Sequence, residues 1–173
     1  IRSVAEEYIY GTGDEELEEV VGALLARDAL TLAVAESCTG GLIGHRLTNV
    51  PGSSRYLLGD VVAYANEVKS SVFGVDPELL RRHGAVSEEV ATAMAAGVRR
   101  ALGSAIGLST TGIAGPDGGT AAKPVGLVWI GYADATTSFA RRYQLGGARI
   151  RIKERASQAA LELLRRSLLG RTA

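Results

Sequence analysis

A serine followed by two glycines is the first group in this sequence that could do chemistry. Residues 31–35 predict a buried strand, Ser37 follows it, and Gly40 and Gly41 precede a short predicted helix. Ligands of open α/β sheets bind beyond the carboxyl ends of strands, and glycines let backbone N–H groups face them. The arrangement resembles a nucleophile elbow without the literal G-x-S-x-G pattern. The alternative, a helix cap formed by Ser37 or Thr39, stays open on the residues alone.

Lys69 is the second candidate, in the first turn of a helix predicted from a cap at Asn66 to Gly74. The positive end of the helix dipole repels an ammonium group, which would lower its pKa and suit it as a neutral base. The alternative is an ordinary solvated lysine. Lysine is scarce in this chain, which has only Lys69, Lys123 and Lys153.

A glycine-rich segment over residues 110–120 is the third candidate. It follows a predicted strand and contains Thr111 and four glycines, namely Gly112, Gly115, Gly118 and Gly119. Successive N–H groups in such a turn can cradle an anion, although neither the Walker nor the dinucleotide spacing is present. The alternative is a surface loop, but the hydroxyl and carboxylate side chains favour a binding loop.

Basic residues at the start of the last predicted helix are the fourth candidate. Arg149, Arg151 and Lys153 follow Gly146 and Gly147 and could clamp a phosphate or a carboxylate. A solvated first helical turn is the alternative interpretation.

The only cysteine, Cys38, must be weighed as a rival nucleophile beside Ser37. No histidine lies near it in the sequence, so a buried structural thiol is the better interpretation. A single cysteine excludes an internal disulfide and predicts a reducing, cytoplasmic location. With only two histidines in the chain, an ordinary zinc site is also excluded.

Hydrophobic periodicity predicts one α/β domain with a mixed sheet and helices on both faces. The order is α-β-α-β-α-α-α-β-β-β-α, and the short connection at residues 134–136 predicts an antiparallel hairpin. Expected caps are Asp14 and Asn66 for two helices, and Ser87 with Gly103 for the longest one. Strands are predicted over residues 31–35, 61–64, 105–110, 125–132 and 137–143.

The composition bounds the function. The 173 residues carry 19 basic and 19 acidic side chains, with 15 acidic and 7 basic before residue 91 and 4 acidic and 12 basic after it. The basic residues are mostly arginine pairs without interleaved aromatic residues, so a solvated face is favoured over a nucleic-acid site. The apolar runs are strand-sized, which predicts no membrane span. The 22 glycines are nearly twice the usual share of about 7%.

Several segments together resemble the C-terminal domain of the CinA family, the nicotinamide-nucleotide amidases (NMN deamidases). They are Ala-Glu-Ser-Cys-Thr-Gly-Gly at 35–41, Pro-Gly-Ser-Ser at 51–54, residues 64–69, Gly-Ala-Val-Ser at 84–87, Gly-Ile-Ala-Gly-Pro-Asp-Gly-Gly at 112–119 and Lys-Pro-Val-Gly at 123–126. The resemblance implies that residues 14–170 form this domain and that residues 1–13 are a linker left from the junction with an N-terminal CinA domain. The first residue is Ile1, and we expect the chain to be part of a longer protein.

The resemblance implies a three-layer α/β/α sandwich with a five-stranded mixed sheet. It also implies hydrolysis of nicotinamide mononucleotide (NMN) to nicotinic acid mononucleotide and ammonia, with no cofactor and no metal. Ser37 would attack the amide and Lys69 would move its proton, with a pKa reduced from about 10.4 toward roughly 7–8. Tyr64 would hold Lys69 or the carboxamide, and Thr111 would help to stabilise the oxyanion.

Substrate binding is assigned to two segments and one arginine by the same resemblance. Backbone N–H groups after Ser37 would form the oxyanion hole, whose loss costs about 100- to 1,000-fold in rate per donor. The substrate-binding residues are Thr39, Gly40, Gly41, Gly112, Gly115, Gly118, Gly119 and Arg149. Departures from the family pattern are Ala65, where relatives often have Ser, and the second guanidinium of Arg151.

Partners follow from the same comparison. We expect NMN as a small-molecule partner, a homo-oligomer (dimer or higher), and neither nucleic acid nor a membrane. The alternative function is a nucleotide-binding or interaction domain without turnover in a competence/damage-inducible protein. Ammonia release from NMN distinguishes the two.

Overall fold

The computed structural model of the protein describes residues 13–170, which form six helices and five strands in the predicted order. Of the linker predicted for residues 1–13, only Gly13 lies within the described residues. The elements are α1 (Leu17–Arg27), β1 (Leu32–Glu36), α2 (Leu42–Thr48), a 3-10 turn (Ser53–Arg55), β2 (Leu57–Val62), α3 (Asn66–Phe73), α4 (Pro77–His83), α5 (Glu88–Leu102), β3 (Ile106–Gly112), β4 (Leu127–Ala133), β5 (Ser138–Gln144) and α6 (Arg149–Leu168).

The strands form one mixed sheet in the order β2-β1-β3-β4-β5, which confirms the predicted sheet type. β1 is parallel to β2 and β3, whereas β4 is antiparallel to both β3 and β5, as the short hairpin predicted. All five residues of β1 are buried, because it has a strand on each side. The carboxyl ends of β1, β2 and β3 therefore meet at one edge of the sheet, the edge at which open α/β folds bind ligands.

Two apolar clusters, one on each face of the sheet, make the three layers of the predicted sandwich. Leu32 and Val34 of β1 pack with α1, α2 and α6, whereas Ala33 and Ala35 pack with α3, α4 and α5. Strand side chains alternate between faces, so one short apolar run supplies both layers. None of the helices within residues 13–170 is long and apolar enough to cross a membrane.

All five strands have boundaries that differ from the predicted ones: β1, β4 and β5 are displaced by one or two residues, and β2 and β3 differ for a reason that their pairing shows. β2 covers residues 57–62 rather than 61–64, because pairing with β1 overrides the low strand propensity of Gly59 and Asp60. β3 continues to Gly112 rather than ending at residue 110, since Gly112 still pairs with Val128 of β4. In both cases a long-range partner determines where the strand ends.

Helix caps were predicted with mixed success. Ser87 accepts the N–H of Val90 at the start of α5, and Gly103 ends that helix in the left-handed conformation, as predicted. The prediction that Asp14 caps α1 was wrong, because Glu16 is the N-cap residue and forms a capping box with Glu19. Asn66 was also wrong as a cap, since it is the first helical residue of α3, which leaves its side chain free to face the neighbouring cleft.

Candidate active site

A cleft of about 260 Å³ lies at the carboxyl edge of β1, β2 and β3. This volume is slightly below the range of about 300–1,000 Å³ that is usual for small-molecule sites. A larger and shallower depression of about 760 Å³ lies over α3 and α4, and it contains neither Ser37 nor Lys69. The cleft is lined by Ser37, Cys38, Tyr64, Asn66, Lys69, Ala85, Val86, Thr111, Gly112, Ile113, Ala114, Gly115, Asp117, Gly118 and Arg149.

The Ser37 turn, residues 37–41, connects β1 to α2 and forms one wall of the cleft. The Ser37 N–H donates to the carbonyl of Thr110 at 3.1 Å, which fixes the start of the turn on β3. Thr39 is fully buried, and its hydroxyl lies 2.7 Å from that of Thr110. The Ser37 hydroxyl, by contrast, faces the cleft and forms no hydrogen bond within the described residues.

The helix N-terminus behind this turn is occupied by the chain's own carboxylate. Glu36 is fully buried and accepts the N–H groups of Gly41 at 2.9 Å, Ile43 at 2.7 Å and Gly44 at 2.9 Å. These are the groups that would otherwise bind an external anion at a helix start. Three N–H groups of the turn have no acceptor in residues 13–170, namely those of Cys38, Thr39 and Gly40.

Lys69 is almost fully buried in the floor of the cleft. Its Nζ donates to the carbonyls of Ala63 at 2.9 Å and Tyr64 at 3.1 Å. Burial lowers the pKa of Lys69, partly opposed by the nearby Cys38 and Glu67. A neutral amine has two N–H bonds and one lone pair, so two carbonyl acceptors leave that lone pair available to take a proton.

Cys38 is unsuited to be the nucleophile in this environment. Its thiol is buried, and burial raises its pKa to about 12. A thiol in this state is protonated at neutral pH and therefore a poor nucleophile. Both candidates share the cleft with the buried Lys69, and the raised pKa of the thiol favours Ser37 as the nucleophile.

Arg149 joins the two sides of the cleft at its mouth. Its guanidinium donates to the carbonyl of Gly115 at 2.6 Å and to the phenol of Tyr64 at 3.0 Å. Tyr64 is 65% exposed and touches Lys69 through its carbonyl rather than its phenol. Five N–H donors on a guanidinium leave several for a ligand after these two bonds.

The glycine loop, residues 113–126, forms the opposite wall. Thr111, at the end of β3, is buried and donates its hydroxyl proton to the carbonyl of Ala85 at 2.8 Å. A tether holds the far side of the loop, because the Lys123 amine donates to the carbonyl of His83. Gly119 faces Val125 instead of the cleft, since a Cβ there would lie 2.8 Å from the Val125 nitrogen.

Comparison with known proteins identifies the family to which these strands and turns belong. The model of the CinA C-terminal domain family matches residues 14–168. This chain belongs to the CinA C-terminal domain family. A CinA-like protein of Salinibacter ruber is 62% identical over 169 residues, which cover 97% of this chain and 41% of that protein. The chain thus spans about two fifths of the length of that curated relative.

Solved structures of the CinA superfamily have the same fold. The superfamily protein from Klebsiella pneumoniae is 29% identical with a TM-score of 0.87, covering 92% of this chain and 99% of that one. The competence/damage-inducible protein CihA from Agrobacterium tumefaciens is 34% identical with a TM-score of 0.82, at the same coverage. The open five-stranded sheet and its two helical layers are therefore shared across the CinA superfamily.

The CinA domain brings most of the predicted site residues together. Eight of them line the cleft, and the other four, Thr39, Gly40, Gly41 and Gly119, do not. Arg151 bonds to Glu154 on the surface of α6, and the Lys153 amine lies against Gly40. No group of three or more histidine, cysteine, aspartate or glutamate residues that could hold a metal ion occurs within residues 13–170.

Sequence reasoning missed several residues of this CinA site. Asp117 and Asn66 line the cleft: Asp117 lies in the predicted binding loop but was given no role of its own, and Asn66 was predicted only as a helix cap. Glu36 and Asp60, behind the Ser37 turn, had no role assigned. The signal for Glu36 was present, because a carboxylate just before a helix start that lacks a side-chain cap is a ready acceptor for its N–H groups.

Proposed function

We propose that this CinA domain is an amidase that hydrolyses the carboxamide of NMN to the carboxylate and ammonia, with Ser37 as nucleophile and Lys69 as base. The supporting observation is that the unbonded Ser37 hydroxyl and the buried Lys69 amine, whose pKa is lowered, line one cleft. This pairing of a hydroxyl with a desolvated amine is the arrangement by which Ser-Lys enzymes activate a weak nucleophile.

In the first half-reaction, Ser37 Oγ attacks the amide carbon while the lone pair of Lys69 takes the hydroxyl proton. The tetrahedral oxyanion is held by N–H groups of the Ser37 turn, with Cys38 first among them because its N–H has no acceptor in the described chain. The Lys69 ammonium then gives its proton to the departing nitrogen. Ammonia leaves, and an ester of Ser37 remains.

In the second half-reaction, a water molecule replaces ammonia. Lys69 takes a proton from the water, whose oxygen attacks the ester carbon, and the C–O bond to Ser37 breaks. Lys69 returns this proton to Ser37 Oγ, and the product leaves as the carboxylic acid, which loses its remaining proton to solvent to give the carboxylate. Lys69 is neutral at the start of each half-reaction, so both require its lowered pKa.

We further propose that the phosphate of NMN binds between Arg149 and the glycine loop. Arg149 retains guanidinium N–H donors after its bonds to Gly115 and Tyr64, and a phosphate oxygen pair suits that fork. The loop adds unengaged N–H groups at 114, 115 and 117–119, which donate to nothing within residues 13–170. Thr111 is a weaker oxyanion donor in this proposal, because Ala85 already accepts its only hydroxyl proton.

The test is ammonia release from NMN, NAD and nicotinamide by the wild type and three variants. We expect Ser37→Ala and Lys69→Ala each to reduce kcat by at least about 10⁴-fold, as loss of a nucleophile or its base does in serine hydrolases. Cys38→Ala is the matched control and should retain most activity. Loss of activity in Cys38→Ala alone would move the nucleophile to the thiol. Saturable NMN binding without ammonia would support a binding domain without turnover.

A further inference from the structure

Two carboxyl groups meet behind the Ser37 turn, outside the cleft. Glu36 accepts the N–H of Gly44 at 2.9 Å, and a Cβ added to Gly44 would lie 2.2 Å from Asp60 Oδ2. Asp60 on β2 pairs with Val34 and Val62 pairs with Glu36, so both acidic side chains point to the same face of the sheet. Neither acid lines the cleft.

The surroundings supply donors for one negative charge and not for two. Glu36 takes the three N–H groups of the helix start, whereas the buried Asp60 Oδ1 has no hydrogen-bond partner among the described residues. Desolvation and the charge of Glu36 raise the pKa of Asp60 to about 8. Two adjacent carboxyl groups in such a setting share a single proton.

No cation of the surrounding elements neutralises Asp60. On α2, Arg46 is paired with Glu18, and on α6 the Lys153 amine lies against Gly40. α5 packs on the other side of the sheet, where Gly59 rather than Asp60 faces it. The charged and titratable side chains of these elements are His45 and Arg46 on α2, Arg55 in the 3-10 turn, Glu88, Glu89, Arg99 and Arg100 on α5, and Arg149, Arg151, Lys153, Glu154, Arg155, Glu162, Arg165 and Arg166 on α6.

We propose that the Glu36–Asp60 pair is a positioning element for Ser37, and that it holds one proton between its carboxyl groups when the domain is active. Glu36 directly precedes Ser37, and its three hydrogen bonds fix both ends of the Ser37 turn. A protonated Asp60 donates to Glu36 and leaves those bonds intact. Loss of that proton places two negative charges side by side, and Glu36 then turns away from one or more N–H groups. The assignment of reactivity to Ser37 rests on the proposed function.

The first experiment is the pH profile of ammonia release from NMN for the wild type, Asp60→Asn and Asp14→Asn. Asparagine keeps a neutral donor toward Glu36 and does not titrate. We expect the wild-type kcat to rise as Lys69 loses its proton and to fall by about tenfold per pH unit above the pKa of Asp60. Asp60→Asn should lack the fall, and Asp14→Asn, an exposed carboxyl control outside the cleft, should retain it. The same alkaline fall in Asp60→Asn would overturn the proposal.

A second measurement needs no substrate. Hydrogen-exchange protection of the Gly41, Ile43 and Gly44 amides should fall in the wild type as Asp60 ionises, and should persist in Asp60→Asn. Unchanged protection across that range in the wild type would overturn the role of the pair. If the wild type instead shows the expected exchange behaviour but releases no ammonia from NMN, the proposed substrate fails and the coupling of the pair to the turn stands.

Glu36→Gln separates positioning from binding. The glutamine amide group cannot accept N–H donors on its nitrogen, so at least one bond to the turn is lost. We expect kcat to fall by about 10- to 100-fold with KM changed by less than about threefold, because the cleft lining is untouched. A rise in KM with unchanged kcat would contradict positioning. Thermal unfolding of the variant identifies any loss of folded protein, in which case the Asp60→Asn profile decides.

Discussion

The Ser37 turn and the glycine loop face each other across one cleft, but they are held in place in opposite ways. The turn is fixed from within, because Glu36 binds the N–H groups at the start of α2 and Thr110 binds the turn from β3. The loop is held from outside by two long cationic side chains, Arg149 and Lys123. One wall is thus a rigid internal structure, and the other depends on tethers from distant elements.

This difference decides which wall can bind an anion. A glycine-rich turn at a helix N-terminus suggests an anion site, yet in the Ser37 turn the chain's own carboxylate occupies it. The glycine loop precedes a strand rather than a helix, and its N–H groups from residue 114 to 119 donate to nothing within residues 13–170. We infer that the turn serves the reacting amide and the loop serves the phosphate of the proposed substrate.

The largest contrast is expected when the same substitution is made at Lys69, in the floor of the cleft, and at Lys123, which tethers the glycine loop. Lys69→Arg places a guanidinium that cannot be deprotonated beside the turn, whereas Lys123→Arg keeps a cationic donor for the His83 carbonyl. We expect kcat for ammonia release to fall by at least about 10³-fold in Lys69→Arg, and kcat/KM to stay within about threefold in Lys123→Arg. Comparable activity of the two variants would refute a neutral base at Lys69. Near-UV circular dichroism is the control for folding.

Adding a methyl group to a glycine of α2, behind the Ser37 turn, and to one of the glycine loop should have a smaller effect, on stability. Gly44→Ala would bring a Cβ within 2.2 Å of Asp60 Oδ2, whereas Gly118→Ala, at a φ of +86°, meets only Ile113 at 3.8 Å. We expect Gly44→Ala to lower the free energy of unfolding by about 2 kcal/mol through overpacking. Gly118→Ala should cost about 1 kcal/mol for its left-handed backbone. Urea denaturation measures both.

A double-mutant cycle identifies the cause of the Gly44 effect. In the Asp60→Ala background the colliding carboxyl group is absent, so Gly44→Ala should cost much less there. An equal cost in both backgrounds would place the strain elsewhere in α2 and would weaken the proposed contact between the acid pair and the helix start.

The acid pair behind the Ser37 turn should also make stability depend on pH. Asp60 keeps its proton to about pH 8 in the folded protein but only to about pH 4 in the unfolded chain. The folded state therefore binds more protons between these values, and stability falls as pH rises through that window. Because Asp60 is partly exposed, we expect a contribution of about 1 kcal/mol, or roughly 2–4 °C in Tm.

Calorimetry of the wild type, Asp60→Asn and Asp117→Asn from about pH 4 to about pH 8 checks this contribution. Asp60→Asn should lose less stability over that range than the wild type, and Asp117→Asn should follow the wild type. The lowered pKa of Lys69 has the opposite effect, because it makes the free energy of unfolding rise as the pH rises. All three proteins contain Lys69, so this contribution is the same in each. Identical slopes in all three would show that Asp60 is ionised in the folded state.

Local sequence patterns predicted the fold better than the site. The buried strand β1 and the caps at Ser87 and Gly103 depend on neighbours in the chain, and these predictions were confirmed. The role of Glu36 and its pairing with Asp60 depend on the parallel register of β1 with β2, which no local pattern contains. A lowered pKa of Lys69 was expected from the helix dipole and, by the family resemblance, from burial, and burial is the largest cause in the structure.

The smallest expected effect concerns the tether between the two walls. Tyr64→Phe removes one exposed hydrogen bond from Arg149, while the bond from Arg149 to the Gly115 carbonyl remains. A bond of this kind is worth about 0.5–1.5 kcal/mol, so we expect KM for NMN to rise by roughly 2- to 10-fold, with a smaller change in kcat. Steady-state kinetics measure both. A fall in kcat of a hundredfold or more would mean that the phenol acts on the reacting amide, and the division of labour between turn and loop would then be wrong.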